Sequence, residues 1–192
     1  SCNSLGSNGS TGHNCSPDGC SGNDFDCYPE DVCAGGGGSC FLPGTQVKSS
    51  TGSKKIEVIK VGDKVTSFEK GEIKESRVSQ IYERERQYYY DLTAGDYSVK
   101  ASAEHPFLVD IINNTYKEIS KLVKGDVVYV LQNNSLVKKI INSNTRINKS
   151  TPVYNLTVDN TNTYFANSFA VHNKGGVCNW TPVDCPAGTV RT

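Results

Sequence analysis

The sequence predicts an all-β fold, and three observations predict it. From residue 40 onward, short runs of β-branched and aromatic residues alternate with turn residues. No long stretch repeats its apolar residues at the 3.6-residue period of a helix. A ten-residue stretch also occurs twice. Ile56-Glu57-Val58-Ile59-Lys60-Val61-Gly62-Asp63-Lys64-Val65 aligns without a gap on Ile119-Ser120-Lys121-Leu122-Val123-Lys124-Gly125-Asp126-Val127-Val128. Two copies are fewer than the three or so units a solenoid needs to bury a core. They suit instead a pseudo-twofold β-domain whose halves close on each other and bring the ends of the segment together.

Taken in order, residues 1–39 hold no Lys or Arg, carry Asp18, Asp24, Asp26, Glu30 and Asp31, and are dense in Gly, Ser and Asn. Leu5, Phe25, Tyr28 and Val32 are too few to build a core without crosslinks. Composition changes abruptly at Cys40, after Gly35-Gly36-Gly37-Gly38-Ser39. The expected organisation is therefore an irregular Cys-rich flank over 1–39, a β-domain over 40–173 and a second flank over 174–192. Within the domain the expected strands are Thr45–Lys48, Lys64–Phe68, Arg77–Glu83, Gln87–Thr93, Tyr97–Ser102, Phe107–Asp110, Val127–Leu131, Leu136–Ile141, Val153–Val158, Thr163–Ala166 and Phe169–His172. Thr51-Gly52, Lys70-Gly71, Ala94-Gly95-Asp96, Asn113-Asn114, Asn133-Asn134 and Asp159-Asn160 supply turns between them. Lys55–Lys60 and Glu118–Lys124 are the two best helical turns, one or two turns each at most.

Charge and cysteine usage narrow the function. Lys+Arg 20 against Asp+Glu 20 gives no net charge, so nothing favours nucleic acid or an anionic membrane. No apolar run reaches the roughly 18–20 residues of a membrane span. With neither an initiator Met nor a signal-like start, the chain reads as an excerpt of a longer protein. Of the 8 cysteines, only Cys40 lies in the domain, at its first position. Cys2, Cys15, Cys20, Cys27, Cys33, Cys178 and Cys185 lie in the flanks, as a disulfide framework or a metal site. No C-x-x-C spacing is present, which makes zinc the weaker of the two. These cysteines point to an exported or cell-surface host.

Chemistry concentrates at the domain's two ends. A thiol at a domain's first residue can attack the carbonyl just before it and turn the Ser39–Cys40 amide into a thioester. An asparagine can attack its own backbone carbonyl through its side-chain nitrogen, giving a succinimide and freeing the chain that follows. Ala170-Val171-His172-Asn173-Lys174 offers that asparagine, with an imidazole one residue earlier to polarise the carbonyl or protonate the leaving nitrogen. Each feature alone has a plainer explanation: a buried or disulfide-bonded cysteine, a core histidine at His105, a turn residue at Asn173.

In order, Cys40, Ser102-Ala103-Glu104-His105, Val153-Tyr154-Asn155-Leu156-Thr157-Val158, and Tyr164-Phe165-Ala166 running to Val171-His172-Asn173 resemble the Hint (hedgehog/intein) superfamily, specifically a bacterial intein-like domain or mini-intein. The resemblance covers residues 40–173 and implies a horseshoe-like β fold with a pseudo-twofold repeat. It implies that Cys40 is the nucleophile of an N-to-S acyl shift and that His105 destabilises the amide at residue 39 and protonates its nitrogen. Ser102 stands where the motif usually has Thr, His172 is the penultimate histidine, and Asn173 cyclises. Three departures follow. Asn155 stands where many inteins carry an Asp that couples the two cleavages, and Asn162 where a histidine is often found; neither amide titrates. Lys174 stands where a splicing intein presents Cys, Ser or Thr, so the usual branched intermediate cannot form.

Cleavage at both junctions, Ser39–Cys40 and Asn173–Lys174, is then the expected outcome, with ligation by the freed Lys174 amine as a minor route. The domain needs no cofactor or metal, acts on its own flanks in cis as a monomer, and has no room for an inserted homing endonuclease. The rival from another class is a disulfide-rich secreted binding module in which residues 40–173 are an inert β scaffold.

Overall fold

The computed structural model describes residues 14–16, 19–21 and 39–173. The flank cysteines' pairing and Lys174 lie outside the described residues. By its contacts the chain divides into two units, one of them Gly38–Gly175. In the other, β1 (Asn14–Ser16) and β2 (Gly19–Ser21) pair antiparallel, with Cys15 opposite Cys20 in register.

The larger unit is all-β. Its strands are β3 (Gln46–Ser49), β4 (Gly52–Lys55), β5 (Lys64–Glu69), β6 (Glu72–Arg86), β7 (Tyr89–Ala94), β8 (Tyr97–Ala101), β9 (Pro106–Asp110), β10 (Thr115–Glu118), β11 (Val127–Gln132), β12 (Ser135–Ile147), β13 (Thr151–Val158), β14 (Thr163–Ala166) and β15 (Phe169–His172). Every expected strand is present. The two expected helical turns shrink to three-residue 3-10 turns, Ile56–Val58 and Ile119–Lys121. A 10-stranded sheet holds β3, β4, β7 to β12, β14 and β15; β13, β6 and β5 form a second.

The repeat has the same hydrogen bonds in both copies. Ile56 and Ile119 are buried, and each carbonyl accepts the N–H three residues on, from Ile59 at 3.3 Å and Leu122 at 3.2 Å. Asp63 Oδ2 accepts the Lys60 N–H at 3.1 Å and a proton of Lys54 Nζ at 3.0 Å; Asp126 Oδ2 accepts the Val123 N–H at 3.1 Å and a proton of Lys117 Nζ at 2.7 Å. Gly62 and Gly125 sit at φ 91° and 94°, left-handed backbone that a side chain disfavours. Their N–H groups donate to Val78 and Ile141, 2.7 and 3.0 Å away. The equivalence runs back to the start of the domain, because Ile56 N–H donates to Thr45 just as Ile119 N–H donates to His105, at 2.8 and 2.9 Å.

Two long strands tie the halves together. β6 pairs first with β5, through Arg77, and then with β13, from Val78 on. β12 pairs first with β11, through Ile140, and then with β7, from Ile141 on. Each half thus lends the end of a long strand to a strand distant in sequence.

β14 and β15 lie between two apolar clusters. Tyr164, Phe169 and Val171 face a core that includes Phe41, Phe107 and Leu156; Phe165 and Ala170 face a second with Phe68, Leu108 and Tyr129. A strand covered on both faces reads as a continuous apolar run, as Tyr164-Phe165-Ala166 and Phe169-Ala170-Val171 do. Full burial of each of these aromatic rings contributes about 1.5–3 kcal/mol.

Candidate active site

One strand holds both ends of the domain. Phe41, next to Cys40, bridges Tyr154 of β13 through a pair of backbone hydrogen bonds, each 2.8 Å. Two residues along β13, the Leu156 carbonyl accepts a hydrogen bond from Asn173 Nδ2 at 2.9 Å. Residues two apart on a strand present their backbone groups to the same edge, about 7 Å apart. The N- and C-terminal candidates therefore meet along one edge of β13, whose other edge is occupied by β6.

Cys40 is a free, buried cysteine, 1% exposed, and Ser39 before it is buried too. Ser102 grips Cys40 at both backbone groups: its Oγ accepts the Cys40 N–H at 2.8 Å, and its own N–H donates to the Cys40 carbonyl at 2.9 Å. The scissile nitrogen is thereby fixed in place. Burial pushes the thiol up to about 11; Arg86 and then Arg84 pull it down, and the Glu104 carboxylate pushes it up. The resting thiol keeps its proton at neutral pH.

A turn closed by His105 N–H to the Ser102 carbonyl, 3.1 Å, carries His105 under the same site. Its ring lies tilted against Phe41 at a centroid distance of 3.9 Å, with Phe107 and Tyr164 edge-on beside it. Burial lowers the imidazole to about 3, the charge on His172 acts in the same direction, and the Ser39 backbone opposes them. A group that favours imidazolium must be an acceptor, so the Ser39 contribution comes from its carbonyl, the one the thiol would attack. Neither ring nitrogen makes a hydrogen bond of normal geometry among the described residues, so this contact is loose.

Asn173 is fully buried. Its N–H donates to the Asn162 carbonyl at 2.8 Å, and its Oδ1 has no partner among the described residues. With Nδ2 tied to Leu156, the side-chain amide is oriented rather than free to rotate. His172 lies half-buried with its ring edge-on to Tyr116, centroids 5.0 Å apart. Burial lowers its imidazole, and a backbone hydrogen bond with Asn173 raises it. By the same argument that bond goes to the Asn173 carbonyl, the carbon an attacking Nδ2 would reach.

The two accessory amides differ. Asn155 is buried, with its Oδ1 accepting the Leu156 N–H at 2.9 Å. Asn162 is exposed and sits at φ 54°, which Asn tolerates better than most residues; its backbone carbonyl, rather than its side chain, holds Asn173. The structure also brings to Cys40 residues that the sequence alone did not single out: Arg84 and Arg86 from β6, Glu104, and Tyr164 from β14. Glu104 and Tyr164 were visible as parts of the Ser102–His105 and Tyr164–Ala166 stretches; nothing in the local pattern marks Arg84 or Arg86. No cluster of three or more His, Cys, Asp or Glu suited to a metal ion occurs among the described residues.

A family profile described as the pretoxin HINT domain matches residues 46–179. The bacterial intein-like domain from Clostridium thermocellum superposes with a TM-score of 0.62 at 32% identity, over 70% of this chain and 98% of that one. The DnaB intein from Synechocystis sp. PCC 6803 gives 0.64 at 17% identity, over 70% and 98%. The gp41-1 intein gives 0.61 at 24% identity, over 71% and 99%. The last two are similar in fold. No curated protein sequence matches.

Proposed function

The chain belongs to the pretoxin HINT domain family, and on that premise we propose that residues 40–173 are a self-processing domain that cuts its chain at both ends. One observation carries the reading: the edge of β13 that pairs with Phe41 also holds the Asn173 side-chain amide, two residues on. An inert scaffold has no need to bury a free thiol and an asparagine amide on one strand edge.

In the N-terminal step, Cys40 Sγ bonds to the Ser39 carbonyl carbon, the C–N bond breaks, and the proton leaving sulfur ends on nitrogen. Ser102 holds that nitrogen throughout, and the two guanidinium charges favour the negative charge that develops. In the C-terminal step, Asn173 Nδ2 bonds to its own carbonyl carbon, and the bond to Lys174 nitrogen breaks. The proton that Nδ2 loses ends on the Lys174 nitrogen, the succinimide stays on the domain, and Lys174 gains a free amine. His172, at the same carbonyl, withdraws electron density as the nitrogen attacks. The thioester is then hydrolysed, or attacked by the Lys174 amine to join Ser39 to Lys174. An α-amine of pKa about 7.7–8.0 is partly free base at neutral pH, which leaves this ligation open as a minor route. The word pretoxin in the family's description suits a domain whose second cut releases whatever follows residue 173.

Intact-mass spectrometry of the purified chain over time, with and without dithiothreitol, tests the reading. Fragments 1–39, 40–173 and 174–192 are expected, with Cys40→Ala abolishing the first cut and Asn173→Ala the second. A chain that stays whole under reductant, indistinguishable from both variants, refutes it.

A further inference from the structure

Asn173 can cyclise only when its side-chain nitrogen is held in line with its own carbonyl carbon, and two anchors set that line. Its N–H donates to the Asn162 carbonyl at 2.8 Å, and its Nδ2 donates to the Leu156 carbonyl at 2.9 Å. Leu156 lies on β13 and Asn162 stands just before β14, with the turn of residues 159–162 joining the two strands. Those strands belong to different sheets. The angle at which Nδ2 meets the carbonyl carbon therefore depends on how the two sheets are fixed against each other at this turn.

A cluster of hydroxyls fixes them there. Ser67 of β5 is fully buried, and its Oγ lies 2.6 Å from Thr161 Oγ1 and 2.8 Å from Thr163 Oγ1, the residues on either side of Asn162. Thr163 Oγ1 also accepts the Phe68 N–H at 3.1 Å and donates to the Phe68 carbonyl at 2.5 Å. β5 is the outer strand of its sheet, so Thr163 serves both backbone groups of Phe68 as a neighbouring strand would. Each hydroxyl has one proton, which gives the chain a direction: Thr163 donates to Phe68, Ser67 to Thr163, and Thr161 to Ser67. The start of the turn is held as well, with Ser76 Oγ donating to the Asp159 carbonyl at 2.5 Å and the Asp159 N–H donating to Arg77 at 2.9 Å. Across the β14–β15 pair, Thr163 stands opposite His172. The rest of β14 is Tyr164-Phe165-Ala166, and a valine at position 163 would fill the same space without a polar atom to satisfy. The buried hydroxyl answers a demand of geometry rather than of packing.

We propose that Ser67 and Thr163 are positioning residues of the C-terminal step: their hydroxyls fix the Asn162 carbonyl, which holds the Asn173 backbone, against the Leu156 carbonyl, which holds the Asn173 side chain. The assignment rests on the C-terminal reaction proposed above. Neither hydroxyl is bonded to Asn173, so both act through Asn162. Loss of the Thr163 hydroxyl frees the start of β14 from β5, and the two anchors of Asn173 then shift independently. Loss of the Ser67 hydroxyl is milder, because Thr163 keeps its bonds to Phe68.

The test reads the two junctions separately by intact mass. Release of 174–192 is followed in the full chain carrying Cys40→Ala, and release of 1–39 by dithiothreitol in the full chain carrying Asn173→Ala. Thr163→Val, Thr163→Ser and Ser67→Ala are each added to both parents. Thr163→Val keeps the shape and removes the hydroxyl, and should slow release of 174–192 about 10- to 100-fold; Ser67→Ala should slow it about 10-fold. Thr163→Ser keeps the hydroxyl and gives up the methyl, and should recover most of the rate. The cut at residue 39 should stay within about threefold of its parent in Ser67→Ala and Thr163→Ser. Release of 174–192 within about threefold of the parent in both Thr163→Val and Ser67→Ala overturns the assignment, as does Thr163→Ser as slow as Thr163→Val. Equal slowing of both junctions by Ser67→Ala also overturns it, since the hydroxyls would then only support the fold. A Cys40→Ala parent that never releases 174–192 overturns the C-terminal reaction itself.

Discussion

Tyr116 packs its ring against the imidazole of His172, the residue before Asn173. Its ring lies edge-on to the imidazole, while its hydroxyl reaches outward to Asn114 Oδ1 at 3.2 Å, so the contact with His172 is made by the ring alone. Removing the ring lets the imidazole swing, and small misplacements of a catalytic group cost up to about 100-fold. Tyr116→Ala should therefore slow release of 174–192 roughly 10- to 100-fold, with Tyr116→Phe close to wild type and the N-terminal cut unaffected in both. Equal release rates for Ala and Phe, followed by intact mass, would sink this role. At this scale the sequence was legible where a residue's chemistry is announced by its position: Cys40 at a composition break, His172-Asn173 before the second flank. It was not legible for Arg84, Arg86 or Tyr116. These are ordinary strand residues, brought to the site by β6 and β10, and nothing in local spacing records which strand ends beside which.

At the scale of the element, the repeated turn is a unit with a small, countable set of contacts. Asp63 and Asp126 each accept one backbone N–H and one lysine ammonium, and both carboxyls are held below the usual range, first by that lysine and then by the backbone donor. Both turns are largely solvated, so the lysine pairs contribute little and the backbone bond dominates. Asp63→Ala and Asp126→Ala should each lower stability by about 1 kcal/mol, and by similar amounts, in urea melts of a chain also carrying Cys40→Ala and Asn173→Ala. A loss confined to one of the two would show that the copies share shape without sharing energetics. The repeat itself was readable because matched Ile, Gly, Asp and Val each meet a physical demand. What escaped was strand extent. β4 reads Gly-Ser-Lys-Lys and β10 reads Thr-Tyr-Lys-Glu, polar edges with little apolar alternation. The near half of β6, Glu72–Ser76, is charged and becomes strand by pairing with β5, and the far half of β12 is Asn-rich and becomes strand by pairing with β7.

The whole molecule has a stability window set by groups at its centre. His105 in the folded chain is lowered to about 3, so below its ordinary value of about 6.5 the unfolded chain binds the proton that the folded chain refuses. The contribution of His105 is complete above about pH 6.5 and falls as pH drops toward 3, by something on the order of 5 kcal/mol. Cys40 works from the other side. Its thiol is raised to about 11, so the unfolded chain loses that proton first, and stability falls as pH climbs from about 8.5 toward 11. Thermal melts of the Cys40→Ala, Asn173→Ala chain should lose the part of the alkaline fall below about pH 10, where the tyrosines take over, and adding His105→Gln should make the acid fall shallower. An acid fall unchanged by that substitution would remove His105 as its cause.

The grip of β13 on Phe41 and Asn173 also fixes what the domain asks of any chain that carries it. Entry and exit lie side by side, about two strand residues apart, so the domain occupies a host as a bulge on a tether no wider than a hairpin. Chains tolerate insertions of that kind at exposed loop tips, because the neighbouring backbone need not move to admit them. The same spacing means that removing the domain leaves a gap one short turn can span. The architecture that places Phe41 and the Asn173 amide on one strand edge is, seen from outside, a portable insert.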